Sequence, residues 1–247
     1  MGLSDTVAAF RTTRWTTVLE AAQPDSLQGN DAFAQLYQDY WPPLYAYVRQ
    51  RGFPAAEAED LTQDFFVALL EKERLSHLKR EGGRFRSFLL TALKNHLANE
   101  WDRTRAARRG GGIRPLSLDE AEAEAAYQLA SDSLPPERLF ERQWALTVIA
   151  LARQNLEAEL NSADRGDLYR LIGPQLWGDP SARPYAEVAE AAGMSVGALK
   201  VAVHRLRHRF GELLREQVAR TVDDPSEVQA ELRHLIAMAG QDPECPP

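Results

Sequence analysis

The stretch YAEVAEAAGMSVGALKVAVHR, residues 185–205, decides how the C-terminal half of the chain is built. Val188, Ala189 and Ala192 space the apolar face of a short helix over 184–192. Gly193 permits the left-handed residue that a tight turn needs. Ser195 stands where a side-chain oxygen can cap a second helix, 195–216. On that second helix Leu199, Val203 and Leu206 turn inward, leaving Val196, Lys200, Val201, His204, Arg205 and Arg207 on outer or flanking faces. This is helix-turn-helix spacing. A helix that reads duplex DNA needs donors near its start to reach base edges and cations along its length to reach phosphates. A hairpin that only packs would need the apolar positions but not the glycine turn, the cap and the basic face together.

Outward from this stretch, nearly every periodic segment is helical, and no strand-like alternation or internal repeat occurs. Trp15, Val18, Leu19 and Ala22 form a short amphipathic stretch. Phe33, Leu36, Tyr37, Tyr40, Leu44, Tyr47 and Val48 follow helical spacing, and Pro42-Pro43 should break or kink that helix near Trp41. Gly52 stops it, and a further helix runs from Pro54 to about Leu75. Glu81 to Arg84 is a loop, and a long helix from about Arg86 to Arg105 follows, with Leu89, Leu93, Leu97 and Trp101 on one side. Gly110-Gly111-Gly112 makes a flexible joint, and residues 110–136 read as an acidic, alanine-rich linker with a turn or two of helix near 119–130. Helices resume over Leu139 to Leu160 and Arg165 to Leu176, and Trp177 to Pro180 breaks the chain again. A last amphipathic helix, about Pro225 to Met238, carries Val228, Leu232, Leu235 and Ile236. It is expected to cap the second domain, with a regulatory role as the alternative. The fold class is therefore all-α: two small helical domains joined by a flexible acidic linker, the second containing the helix-turn-helix. The boundaries are an N-terminal extension 1–29, a first domain 30–109, the linker 110–136, a second domain 137–217 and a C-terminal extension 218–247.

The formal net charge of −7 over 247 residues argues against a nucleic-acid partner until its distribution is considered. Lys72 to Arg114 holds 12 Lys/Arg against 4 Asp/Glu; Pro115 to Glu141 holds 7 acids against one Arg; Lys200 to Arg215 holds 5 Lys/Arg against one Glu. Two basic blocks flank an acidic one, the pattern of two DNA-contacting surfaces joined by an acidic segment. The single cysteine, Cys245, excludes internal disulfides and cysteine zinc sites. No stretch reaches the about 18 apolar residues of a membrane span, and the start lacks a secretory core, so the expectation is a cytoplasmic protein with no membrane partner. No cofactor motif and no nucleophile–base pair is present, so no enzyme is expected. The run Asp119, Glu120, Glu122, Glu124 is the sole candidate for a metal-dependent nuclease, and it lacks fixed opposing ligands.

Three motifs in order carry a resemblance. Ala58 to Phe66, with Glu59, Asp60, Gln63, Asp64 and Phe66, resembles the second conserved region of RNA polymerase sigma factors. Arg84 to Asn99 resembles their promoter-melting and minus-ten-reading segment. Gly197 to Arg207 resembles their minus-thirty-five recognition helix. Together, over roughly residues 30–215, they are similar to the short, two-domain extracytoplasmic-function (ECF) type. The resemblance implies a non-enzymatic alternative sigma factor that binds the polymerase core, recognises and melts promoter DNA, and starts transcription. Glu59, Asp60, Gln63, Asp64 and Phe66 would engage the beta-prime clamp helices, and the second domain the beta flap. Arg84, Phe85, Arg86, Thr91, Lys94, Asn95, Asn99, Arg103 and Arg105 would meet the minus-ten DNA. In that set Phe85 would form the wall of a flipped-base pocket in the Lys79–Phe85 loop, and Lys94, Arg103, Arg105, Arg108 and Arg109 would grip phosphates. Ser195, Val196, Lys200, Val201, His204, Arg205 and Arg207 would meet the minus-thirty-five element.

The chain departs from the pattern at Ala198, where many relatives carry Thr, at Val201-Ala202, where they carry Ser-Arg, and at Thr91, where a basic residue is frequent. Promoter sequence is thus not transferable. The acidic linker is read as a nucleic-acid mimic near the RNA exit. Thr62 beside the acidic patch would gain about two negative charges if phosphorylated. An anti-sigma factor, a regulatory kinase or the C-terminal helix could each hold the protein off. The rival reading is a one-component regulator that binds duplex DNA without polymerase core.

Overall fold

In the computed structural model the described residues are 27–70, 84–107, 127, 134–222 and 224–240. They form helices α1 (Leu27–Gln50), α2 (Ala55–Leu70), α3 (Phe85–Ala107), α4 (Pro136–Ser162), α5 (Gly166–Trp177), α6 (Tyr185–Ala191) and α7 (Val196–Ala219). A 3₁₀ turn (Pro225–Glu227) and helix α8 (Val228–Ala239) follow. No strand occurs among them, and the all-α expectation holds. None of these helices is long and apolar enough to cross a membrane. Residues 15–22, the loop 79–83, Arg108 and Arg109, Gly110–Gly112, the acidic run 119–124 and Cys245 lie outside the described residues.

The chain divides into two compact units: residues 1–147 with 218–247, and residues 148–217. The first unit therefore includes the start of α4 and all of α8, which lie beyond the first domain drawn from sequence.

In the first unit α1 packs along α2, and α2 against α3. Leu36, Tyr40, Leu44 and Val48 are buried at four-residue steps, with Trp41, Tyr45 and Tyr47 beside them. Across from α1 lie buried Phe65, Phe66 and Leu69 of α2 and Phe85, Leu89, Leu93 and Leu97 of α3. Rings dominate the joint: Tyr37 stacks on Trp41 at 4.8 Å, Phe66 lies 5.0 Å from Tyr37, and Tyr40 meets Phe85 edge-on at 5.3 Å. Such pairs add about 0.5–1.5 kcal/mol each beyond their burial.

This packing corrects one expectation. Of the break or kink expected near Trp41, the break does not occur: the helix continues through Pro42 and Pro43 to Gln50. The two prolines deprive the Gln38 and Asp39 carbonyls of helical donors. Buried aromatic and aliphatic side chains on both sides of the pair hold the chain helical regardless. Tyr127 and Leu134, assigned to the linker, pack on the buried pair Ala46 and Leu139. The Tyr127 hydroxyl also donates to Gln50 Oε1 at 3.2 Å, and Gln50 Nε2 donates to the Leu134 carbonyl at 2.9 Å.

A second correction concerns α8. It falls in the first unit, whereas the sequence reading places it with the second domain. Its buried face is Glu231, Leu232, Leu235 and Met238; Ile236, expected in the apolar stripe, is 61% exposed. The short connection after α7 keeps α8 close to residues 218–222, where Val218, Thr221 and Val222 are buried.

The second unit holds the rest of α4, α5, α6 and most of α7. Val148, Ala152, Leu156 and Leu160 of α4, Tyr169, Ile172 and Leu176 of α5, and Leu199, Val203, Leu206, Leu213 and Leu214 of α7 are buried. α4 gives way to α5 through Asp164, which takes a left-handed φ of 58°, a conformation Asp tolerates better than most residues. α5 closes on left-handed Gly178, with the Asp179 N–H donating to the Pro174 carbonyl at 2.9 Å. α6 turns into α7 through Gly193, φ +65°. The Ala198 N–H donates to Ser195 Oγ at 3.2 Å, the cap expected at that residue.

At Gly193 an added Cβ meets nothing within 4 Å, so a substitution there tests backbone strain alone. Gly193→Ala should destabilise the second unit by about 1–2 kcal/mol, the cost of a left-handed L-residue. Urea unfolding followed by circular dichroism measures it, and an unchanged midpoint would remove the turn argument.

Candidate nucleic-acid interface

The side chains assigned from sequence fall into three groups, two on the first unit and one on the second.

The acidic group lies on α2. Asp60 and Asp64 are exposed one turn apart and make a negative patch, with Gln63 half-buried next to them. Glu59 and Phe66 are not on this patch. Glu59 is 2% exposed, within 3.4 Å of Gln63 Nε2, and Phe66 is closed inside the ring cluster with Tyr37 and Trp41. Their inward placement follows from helical phase: Ala58, Thr62, Phe65, Phe66 and Leu69 define the buried side, and Glu59 falls on its margin. Thr62 is fully buried and its Oγ1 donates to the Ala58 carbonyl at 2.6 Å, so a kinase cannot reach it in this structure.

The second group lies on α3. Thr91, Lys94, Asn95 and Asn99 are exposed, while Leu89, Leu93, His96 and Leu97 are buried. Asn95 and Asn99, one turn apart, therefore project donors and acceptors from the outer face of a helix whose other side is fixed by the core. His96 explains part of that fixing: its ring meets Phe65 edge-on at 5.8 Å. Thr91 Oγ1 donates to the Ser87 carbonyl at 2.9 Å, which partly satisfies the hydroxyl within its own helix. The side chains of Arg103 and Arg105 lie outside the described residues.

The start of α3 differs most from expectation. Phe85 is fully buried against Tyr40, so it is a core ring and not the wall of an open base pocket. Its N–H donates to the Thr221 carbonyl at 3.3 Å. Arg86 is 1% exposed and does not face solvent DNA. Its Nε donates to Glu141 Oε2 at 2.6 Å, its Nη1 contacts Glu231 Oε1, and its guanidinium lies 4.3 Å over the Trp144 ring. Glu231, from α8, has a fully buried side chain and also pairs with Arg84 Nε at 2.9 Å. His234 Nε2 sits 2.8 Å from the same Glu141 oxygen that Arg86 uses. Burial pulls the Arg86 guanidinium below its ordinary value, and Glu141 opposes that pull. An arginine has no accessible neutral form, so this environment demands carboxylates instead.

Lys94 is held more loosely. Its Nζ meets Glu137 Oε1 at 2.8 Å, and both side chains are close to half exposed. The hydrogen bond to Lys94 holds the Glu137 carboxyl below its usual range, and the same bond raises Lys94. Sequence reasoning missed Glu137, Glu141, Glu231 and His234. One signal was present: Glu231 falls three residues after Val228 and four before Leu235, on the apolar stripe of α8, where an acid needs a buried partner.

The third group belongs to the second unit. Ser195 caps α7, and Val196, Lys200, Val201, His204 and Arg205 are exposed along it. Val201 is 50% exposed, which leaves a methyl-bearing side chain on the outer face. Arg207 is exposed too, but part of its guanidinium is engaged. Its Nη2 donates to the Gln175 carbonyl at 2.7 Å and its Nε to the Leu176 carbonyl at 3.1 Å. It thus closes the C-terminal end of α5, where carbonyls lack helical partners. Arg209 is likewise engaged: Nη2 and Nε meet Glu159 at 2.6 and 2.9 Å, and Nη1 meets Glu212 at 2.9 Å. Lys200, His204 and Arg205 are outward without such an anchor, beside the exposed, carbonyl-bound Arg207.

Residues 36–107 match the family model described as Sigma-70 region 2. No curated protein and no solved structure matches the chain. The matched segment is the one that carries the α2 acidic patch and the α3 asparagine face.

The two cation environments predict a contrast in stability. Arg86→Met should lower the unfolding free energy by about 3 kcal/mol or more, because it removes the buried cation that Glu231 and Glu141 share. Lys94→Met should cost less than about 1 kcal/mol, as exposed pairs do. Chemical denaturation of the two variants tests this, and equal losses would refute the assignment of Arg86 as a buried anchor. The Lys94 effect should also depend on pH. The Glu137 carboxylate is depressed on folding, so its contribution is present above the ordinary carboxylate range and is lost as pH falls through the depressed value. Wild type and Lys94→Met should therefore converge in strongly acidic buffer.

Proposed function

From a sigma-70 region 2 at residues 36–107, which implies a non-enzymatic RNA polymerase sigma factor that binds the polymerase core, we propose that the chain is an alternative sigma factor of the ECF type. Its first unit engages core polymerase and the minus-ten region of a promoter. Its second unit engages the minus-thirty-five region. The observation that carries this reading is the pairing, inside the matched segment, of an exposed acidic patch on α2 with an exposed asparagine pair on α3.

Asp60 and Asp64, flanked by Gln63, offer a negative docking patch to a basic helical surface of polymerase. Such charge complementarity speeds encounter and fixes register. Asn95 and Asn99 offer amides that pair with base edges once strands separate, and each good amide–base pair is worth about 1–3 kcal/mol of discrimination. Arg84 and Lys94 supply charge to neighbouring phosphates. Arg86 and Phe85 are not among the DNA contacts, since their side chains serve the interior.

On the second unit, α7 presents Val196, Lys200, Val201, His204 and Arg205 to a major groove. Val201 suits a thymine methyl, and Lys200 and Arg205 suit guanine acceptors or phosphates. Arg207 acts indirectly, by fixing the end of α5 against the middle of α7 and so setting the pose of that face.

The test is a binding titration against bacterial RNA polymerase core. The wild-type chain should bind, and Asp60→Ala, Asp64→Ala should weaken binding by about tenfold or more, or about 1.4 kcal/mol. Both positions are exposed, so folding is expected to survive. Absence of core binding, together with a two-fold symmetric footprint on duplex DNA, would favour a one-component regulator instead.

A further inference from the structure

We propose that helix α8 is an autoinhibitory strap that withholds the cationic start of α3 from nucleic acid until it is displaced. The inference rests on the reading of α3 as a nucleic-acid surface.

Three observations converge. First, α8 brings an acid to the place where the proposed interface needs a cation free. Arg84 has a side chain 42% exposed, yet its Nε is paired at 2.9 Å with Glu231, whose own side chain is fully buried. A phosphate that sought Arg84 would have to compete with a carboxylate already in place. Second, α8 is a single short helix held by one face. Glu231, Leu232, Leu235 and Met238 are buried, His234 Nε2 meets Glu141 Oε2 at 2.8 Å, Arg138 Nη1 reaches Met238 Sδ at 3.7 Å, and Ile236 on the far side is 61% exposed. A helix of 12 residues is marginal in water by itself, so α8 is either docked and helical or undocked and unfolded. That makes it a two-state element. Third, the buried guanidinium does not depend on α8 alone. Without Glu231, Arg86 keeps Glu141 Oε2 at 2.6 Å and the Trp144 ring at 4.3 Å. Thr221, which accepts from the Phe85 N–H, precedes the strap and stays with the unit. Undocking thus frees Arg84 while leaving the start of α3 anchored.

The linkage is reciprocal. If α8 lowers affinity for nucleic acid, nucleic acid must lower the docking of α8 by the same factor.

The probe is a fluorescein-labelled single-stranded DNA of mixed sequence, about 20 nucleotides long, enough to cover a site of ordinary size. It is titrated with the full chain, with the chain ended after Asp223, and with full-length Glu231→Gln. The truncated chain should bind at least about fivefold tighter, the lower end of ordinary coupling. Its salt dependence should be steeper by about 0.7 for each additional phosphate that the protein neutralises. Arg84→Ala placed in the truncated chain should return affinity toward that of the full chain, and Glu231→Gln should shift it in the same direction as truncation. Hydrogen exchange gives a readout that does not depend on truncation: DNA added to the full chain should speed exchange at residues 228–239. Equal affinity of full and truncated chains, with binding still lost in Asn95→Ala, Asn99→Ala, would overturn the strap and leave the nucleic-acid reading standing. A truncated chain that loses its cooperative unfolding would show α8 to be an integral part of the fold, which also overturns the strap. Folded proteins that fail to bind DNA in every form would sink the nucleic-acid reading itself, and the strap with it.

Discussion

A guanidinium cannot give up its charge to suit its surroundings, so burying one dictates what must stand around it. Arg86 is that constraint in this chain. It sits one residue into α3 with almost no exposure, and its partners come from far away in sequence: Glu141 from α4 and Glu231 from α8. The Trp144 face completes the enclosure. Each partner by itself would be an acid in a poor place. Together they set two carboxylates against the buried guanidinium, and the cluster ties the first turn of α3 to segments more than fifty residues later. Few other arrangements would recruit the start of α4 and all of α8 into the same unit as α1, α2 and α3.

The orientation of α3 matters because its two faces do different things. The inner face, from Phe85 through Leu97, locks against Tyr40 and Phe65. The outer face carries Asn95 and Asn99. An asparagine costs helix propensity by standing mid-helix. Two on one exposed face, with the opposite face immobile, give amides a defined direction before any partner arrives. Pre-organisation of this kind lowers the ordering cost of binding. The ring cluster of α1 and α2 has the same effect on Asp60 and Asp64. The packing that carries the chain helically through Pro42-Pro43 also fixes which side of α2 is outward.

How much of this was legible in the sequence depends on the range of the interaction. Helix periods, the glycine turn and the serine cap are local, and they were readable: Leu199, Val203 and Leu206 are buried as spaced, and Ser195 accepts the hydrogen bond from Ala198. The site was half legible. Asp60, Asp64, Asn95, Asn99, Lys200, His204 and Arg205 are exposed, as a surface role needs. Arg86, Phe85, Glu59 and Phe66 are turned inward by packing, and Arg207, although exposed, spends its Nε and Nη2 on the α5 carbonyls. A basic residue next to a loop reads as a surface cation unless its buried acids are known. Those acids lie beyond the acidic linker, where spacing carries no information. Pro42-Pro43 misled for the same reason: backbone rules count hydrogen bonds lost locally and not the rings packed on either side.

One residue shows how structure and function bear on each other here. Glu231 is fully buried, and buried acids are retained only with partners. Its two partners differ. Arg86 is interior and has a second carboxylate in Glu141; Arg84 is partly exposed and meets its carboxylate in Glu231. The Arg86 contact joins two interior groups and serves the fold; losing the Arg84 contact leaves it in place and changes the exposed cation instead. A contact that joins the interior to an exposed cation at the edge of a proposed binding face places the consequence of its rupture on that face. The amphipathic α8, too short to persist undocked, is the element on which such a rupture would register.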